Sequence, residues 1–199
     1  MVLQGGGVVA YPTDTVYGLA VDAMNAAAVA RLYAVKQRPA EKALPLIIGD
    51  LGQLAQVVAS LPASAERLIA AFWPGPLTLV MAPHARVPAS VLGDSGRVGV
   101  RWPAAAVSQQ LALALGRAIT ASSANRSGAA AALTATEVVT QLDAAVDLLL
   151  DGGTMPSAHV STVLDVTVDP PVLLRAGKIP SPAIEAILGC RLRTVLPPG

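Results

Sequence analysis

A chain of 199 residues, 53% of them hydrophobic and with a mean hydropathy of +0.57, carries enough apolar surface for one substantial core, which excludes a disordered chain and suits one domain. Fourteen Lys and Arg against thirteen Asp and Glu leave a formal net charge of +1, so no global field draws in a polyanion and any nucleic-acid contact must be local. The lone cysteine, Cys190, excludes an internal disulfide and accords with a reducing compartment.

The N-terminus lacks the basic start and apolar stretch of a secretory signal. Gly5-Gly6-Gly7 reads as a loop entering a strand at 8–11. Asn25 is placed to cap a helix at 26–36, a strand follows at 46–48, and Asp50 is placed to cap a helix at 51–59. Apolar runs at 77–81 and 98–102 read as strands, and Pro103 suits the first turn of a helix ending at Gly116. A strand at 118–121 leads to an alanine-rich stretch at 129–132, expected to be a mobile or solvent-facing connection. Thr134-Ala135-Thr136-Glu137 has capping-box spacing ahead of 138–142. Strands at 148–150, 162–166 and 172–174 precede a helix opened by Ser181-Pro182, and the residues from 190 on read as a tail with a frayed end.

Every apolar run is broken by Pro, Gly or charge before the roughly 20 residues of a membrane span, so a cytoplasmic chain without a membrane segment is expected. Strands alternating with helices, and adjacent strands late in the chain, predict an α/β fold: a twisted, mostly mixed sheet with flanking helices. One domain is expected over 1–199, its core at about 5–180.

His84, His159 and Cys190 stand apart, which leaves no zinc spacing, and neither a Walker A sequence nor a GxGxxG follows a strand. An anion must therefore be held by polar groups at strand ends, where an α/β sheet opens its crevice. Five segments qualify: 11–19, where a strand runs into Pro12-Thr13-Asp14-Thr15; 36–42, with Lys36, Arg38 and Lys42; 97–103, where alternation sets Arg97 and Arg101 on one face; 120–128, a hydroxyl-rich turn; and Ser161-Thr162-Val163 together with 174–178. Each has a plainer reading. Pro-Thr-Asp-Thr is commonly a turn closed by its own side chains, and cations around Lys36 could complement a helix C-terminus. Arg101 could be a surface strand arginine, and Arg175 could pair with a carboxylate.

Taken in order, the segments resemble the YrdC-type threonylcarbamoyl-AMP synthases over about residues 8 to 178. The resemblance rests on Tyr-Pro-Thr-Asp-Thr-Val-Tyr-Gly-Leu at 11–19, Lys-Gln-Arg-Pro-Ala-Glu-Lys at 36–42 and Ser-Ser-Ala-Asn-Arg-Ser-Gly at 122–128. It implies a single-domain form of a twisted α/β fold whose concave cationic cleft holds ATP and L-threonine. By the same resemblance, Thr15, Ser161 and the main chain of Ala121 would contact threonine, and Arg101 its carboxylate. Arg38 and Lys42 would bind ATP and carry the charge task of catalysis. Arg97, Ser123, Asn125 and Arg175 would complete the ATP site.

The implied reaction joins bicarbonate, threonine and ATP, with Mg2+ on the phosphates and no metal held by the protein. Its product, threonylcarbamoyl-AMP, would pass to downstream threonylcarbamoyl-transferase proteins for tRNA modification, with only weak contact to tRNA itself. The competing readings are an RNA- or tRNA-binding module without catalysis and the related domain of hydrogenase maturation. Two departures from the family pattern are the alanines after Gly128 and Gly49, where some relatives carry a polar side chain.

Overall fold

The computed structural model describes residues 1–156 and 160–194; His159 and the frayed end expected at 196–199 lie outside them. Strands form at β1 (Val9–Tyr11), β2 (Gly18–Ala20), β3 (Leu46–Ile47), β4 (Leu77–Met81), β5 (Val98–Arg101), β6 (Ile119–Thr120), β7 (Ser122–Ser123), β8 (Leu148–Leu149), β9 (Thr162–Asp165), β10 (Val172–Arg175) and β11 (Arg193–Thr194). Between them lie α1 (Ala26–Lys36), α2 (Leu54–Val57), α3 (Ala63–Phe72), α4 (Ala89–Leu92), α5 (Ala106–Leu115), α6 (Ala135–Leu142) and α7 (Ser181–Leu188).

The α/β class is as expected, but the strands form two mixed sheets and not one. The larger runs β11-β10-β9-β4-β5-β3-β6 and the smaller β7-β2-β1-β8. The chain crosses from β6 in one to β7 in the other through the single residue Ala121. Backbone bonds lace the seam: Thr120 donates to the Val21 carbonyl at 3.1 Å, and Asp22 bridges Ile119. Most of the core is one continuous body reaching from Val8 to Leu188. A smaller cluster, with Tyr11, Ile47, Ala112 and Ile119, packs Val9 and Ala20 of the small sheet against the larger sheet and α5.

Local signals set most helix ends. Asn25 caps α1 by accepting from Ala27 N and Ala28 N, and Gln37 closes it in the left-handed region at φ 50°. Thr134 accepts from Glu137 N, while Glu137 reaches back to Leu133 N, one residue earlier than a strict capping box. Asp50 caps only a short turn at Leu51–Gln53, and the helix ends early because Val58 turns extended to bridge Pro83. Pro103 stays outside α5: Ala105 is still extended, and Gln109 Nε2 donates to the Pro103 carbonyl at 2.6 Å.

The alanine-rich stretch faces solvent at Ala129 and Ala130, as expected, but its backbone is pinned. Its carbonyls at 129, 130 and 132 accept from Asn125 Nδ2, Gln141 Nε2 and Tyr17 N, and Ala132 is fully buried. A run of alanines has no side-chain signal for such bonds, because the backbone makes them. Gly49 has a packing reason: a Cβ there would lie 2.6 Å from Leu113 Cγ and 2.8 Å from the Gln109 carbonyl of α5. No described helix is long and apolar enough to cross a membrane.

Candidate active site

A cavity of about 200 Å3 opens where the two sheets meet. That is below the roughly 300–1,000 Å3 of pockets enclosing a drug-sized ligand, so it has room for a ligand the size of an amino acid. Its wall is assembled from the turn leaving β1, the end of β5 at Arg101, the crossover at Ala121 to Ser123, Ser161 ahead of β9, and Arg175 at the end of β10. Of the residues singled out in sequence, Thr15, Arg101, Ala121, Ser123, Ser161 and Arg175 line it.

The turn is organised by Thr13, whose Oγ1 accepts from Thr15 N at 3.1 Å and Val16 N at 3.3 Å and donates to the Val16 carbonyl at 2.6 Å. The plain reading of this motif as a self-closing turn thus holds for Thr13. Thr15 is left with a weak contact to Thr13 Oγ1 at 3.2 Å, so its hydroxyl remains free for a ligand.

Arg101 is not a free surface arginine. Its Nε donates to the Gly75 carbonyl and its Nη2 to Asp14 Oδ2, both at 2.9 Å. A guanidinium carries five N–H groups, so each terminal nitrogen keeps at least one for a carboxylate. Alternation along β5 explains its position: Val98 and Val100 are fully buried on one face, and Arg101 turns to the other.

Among the described residues Arg175 pairs with no carboxylate. Its Nε and Nη2 straddle the Ser161 carbonyl at 3.1 and 2.9 Å, and Nη2 also reaches Ser161 Oγ at 2.9 Å. The register shift between Leu173 and Arg175 turns the side chain that way. Ser161 Oγ also meets Thr78 Oγ1 at 3.0 Å, so this hydroxyl is held from two sides. Loss of water contact, and next the nearby Arg101 charge, hold the Arg175 pKa below its ordinary value. Two cations in one cavity favour an anionic ligand there.

Arg38, Lys42, Arg97 and Asn125 do not line this cavity. Arg38 donates to the carbonyls of Lys42 and Ala43, whereas the Lys42 side chain is exposed. Arg97 is paired with the buried Asp165. Asn125 spends its amide on the carbonyls of Arg126 and Ala129, leaving Oδ1 buried and without a partner. The charged lining is therefore Arg101, Arg175 and Asp14, and the cations expected to make a strongly positive cleft are not gathered here.

Lys36, named in sequence among the cations of 36–42 but given no role in the site, proves to be buried. It is 2% exposed, and its ammonium donates to the Asn125 carbonyl at 2.7 Å and to the Ser123 carbonyl. Its own carbonyl accepts from Ser127 N at 2.7 Å, so the end of α1 clamps the 123–127 turn. Burial, and next the Arg38 charge, push its pKa down to about 8. A signal existed: Val29, Leu32, Tyr33 and Lys36 follow helical spacing on the buried face of α1. Asp14, Thr78 and Tyr11 also line the cavity, as does Ser108, whose Oγ is buried without a partner. Asp14 and Tyr11 stood within the 11–19 motif, but the partner of Asp14, Arg101, is distant in sequence.

The family model Sua5_yciO_yrdC, described as "Telomere recombination", matches residues 1–177. The threonylcarbamoyl-AMP synthase of Pyrococcus abyssi is 39% identical over 187 residues, covering 94% of this chain and 55% of that one. The chain thus spans about half the length of that relative. The threonylcarbamoyl-AMP synthase of Vibrio cholerae serotype O1 is 42% identical over 165 residues, covering 82% of this chain and 88% of that one. Among solved structures, P. abyssi Sua5 complexed with L-threonine superposes with a TM-score of 0.92 at 38% identity, covering 98% of this chain and 57% of that one. The chain belongs to the Sua5_yciO_yrdC family.

Proposed function

We propose that this chain condenses L-threonine, bicarbonate and ATP into threonylcarbamoyl-AMP and pyrophosphate, in the cytoplasm and as one domain. The product would serve proteins that transfer the threonylcarbamoyl group to tRNA. The observation that carries this reading is the convergence of Thr15, Arg101, Ala121, Ser123, Ser161 and Arg175, from five separate stretches of chain, on one amino-acid-sized cavity.

The threonine carboxylate takes the free N–H groups of Arg101, and the Thr15 and Ser161 hydroxyls and the Ala121 main chain orient the rest of the molecule. Its amine attacks the bicarbonate carbon, and loss of water leaves a carbamate. A carbamate oxygen then attacks the α-phosphorus of ATP as the bond to the leaving pyrophosphate breaks. No protein nucleophile is needed, and the rate gain comes from alignment and from neutralising two anions.

Arg38 and Lys42, which follow the Lys36 tied to the 123–127 turn, would bind the nucleotide together with Ser123, Asn125 and Arg175. Arg97, already committed to Asp165, is left its backbone for that contact. Mg2+ would enter as part of the substrate, carried on the ATP phosphates.

The test is to incubate the purified chain with ATP, Mg2+, bicarbonate and single amino acids and to identify products by mass spectrometry. Pyrophosphate release that requires threonine and bicarbonate together supports the proposal. Equal release without threonine overturns it, and tight tRNA binding with no turnover would favour the binding module.

A further inference from the structure

Tyr11 ends β1 and is 1% exposed, yet it lines the cavity. Among the described residues its hydroxyl makes no hydrogen bond. The sealed side-chain polar atoms left without partners are Trp102 Nε1, Ser108 Oγ, Asn125 Oδ1 and Gln141 Oε1, and the Tyr11 hydroxyl is not one of them. A phenol that is unbonded but not sealed keeps some open volume beside it, and among the described residues Tyr11 lines the cavity. Gly18 makes room for it: a Cβ there would stand 2.8 Å from Tyr11 Cζ and 3.1 Å from the hydroxyl oxygen, and Gly18 itself lines the cavity. β1 and β2 pair Tyr11 directly with Gly18, so the ring lies across its cross-strand neighbour.

Burial raises the Tyr11 pKa well above the ordinary phenol value; the Arg101 charge opposes this and the Asp14 charge adds to it. The group therefore stays protonated and can donate. The charged residues that line the same cavity also say what it would donate to. Asp14 is already engaged by Arg101 Nη2, whereas Arg101 retains N–H groups that need an acceptor. An anion held by those groups would lie beside the phenol, and a carboxylate has lone pairs enough for both donors. A donor that opens on a cavity and has no protein partner is placed to bond a ligand there.

We propose that the Tyr11 hydroxyl is a second carboxylate donor of this cavity, acting with Arg101 on the α-carboxylate of the amino-acid substrate. The inference rests on the amino-acid reading given under the proposed function. It adds a neutral, directional donor to a charged one, so that the carboxylate is fixed in orientation as well as held.

Tyr11→Phe keeps the ring, its burial and its contact with Gly18 and removes only the oxygen. Calorimetric titration in bicarbonate-free buffer compares wild type and variant with L-threonine, with L-2-aminobutyrate, which lacks the hydroxyl but keeps the carboxylate, and with a non-hydrolysable ATP analogue. The expected result is a loss of roughly tenfold in affinity for both amino acids, with nucleotide affinity and melting temperature unchanged. Unchanged threonine affinity overturns the inference and leaves the proposed reaction standing. A loss seen with threonine but not with 2-aminobutyrate assigns the phenol to the threonine hydroxyl and overturns the carboxylate assignment. If wild type binds no threonine but does bind the nucleotide, the amino-acid reading fails and this inference falls with it.

Discussion

The cavity and the 36–42 segment carry similar cations in opposite states. Arg101 and Arg175 are each fixed by at least two bonds to Asp14, Gly75 or Ser161, so their geometry is set before any ligand arrives. Lys42 is exposed, and Arg38 donates to the carbonyls of its own loop. One region is pre-organised for a small ligand that must be held in a single pose, and the other presents charge that a long anionic ligand can gather. Lys36 joins them, since its side chain is buried beneath the turn that feeds the cavity.

That joint is where the largest effect is expected. With its pKa moved from 10.5 down to about 8, the folded state binds fewer protons at Lys36 than the unfolded state between those values. Stability therefore rises with pH across that window, and below about pH 8 the full penalty is present, about 3 kcal/mol from the shift. Urea unfolding of wild type and Lys36→Met at pH 7.5 and 10 should show the difference between them moving in favour of wild type by most of that amount. A difference independent of pH would mean that Lys36 is hydrated, and the join between the regions would be lost.

Arg101→Lys tests the pre-organised side. Lysine keeps the charge but has no fork, and losing one charged hydrogen bond, about 1.5–3 kcal/mol, should weaken threonine binding roughly ten- to a hundredfold with nucleotide affinity kept. Strand alternation alone would predict no loss of stability. The bonds to Gly75 and Asp14 predict otherwise, and a fall in melting temperature of about 2–4 °C per kcal/mol lost is expected by calorimetry.

The smallest structural effect should come from the exposed side. Lys42→Ala should weaken binding of an ATP analogue roughly tenfold with no change in melting temperature, whereas Arg38→Ala should weaken it and lower the melting temperature as well, because the Ala43 carbonyl loses its donor and the Lys42 carbonyl keeps only the Tyr33 hydroxyl. Equal thermal behaviour of the two variants would erase the distinction between the regions.

The elements written in local chemistry were legible from the residues alone. Apolar runs such as Leu77–Met81 and caps such as Asn25 and Thr134 act over three or four residues, so their spacing is enough to place them. The same holds for the candidate residues, all of which stand at strand ends or turns. β7 and β11 were not legible, because these two-residue strands form by pairing with partners elsewhere in the chain, and β2 lay hidden within the 11–19 motif. Nor was the division into two sheets, which turns on one residue, Ala121, with nothing in its side chain to announce it.

What the sequence by itself determined is the class of fold, the order of its main elements and the set of polar residues delivered to their ends. The tertiary structure decided which of these meet: Arg101 with Asp14 across 87 positions, Lys36 with the Asn125 carbonyl across 89, and Tyr11 opening on the cavity. Such pairings depend on the register of strands and the path between sheets, which are set by the packing of the whole core and not by any window of neighbouring residues.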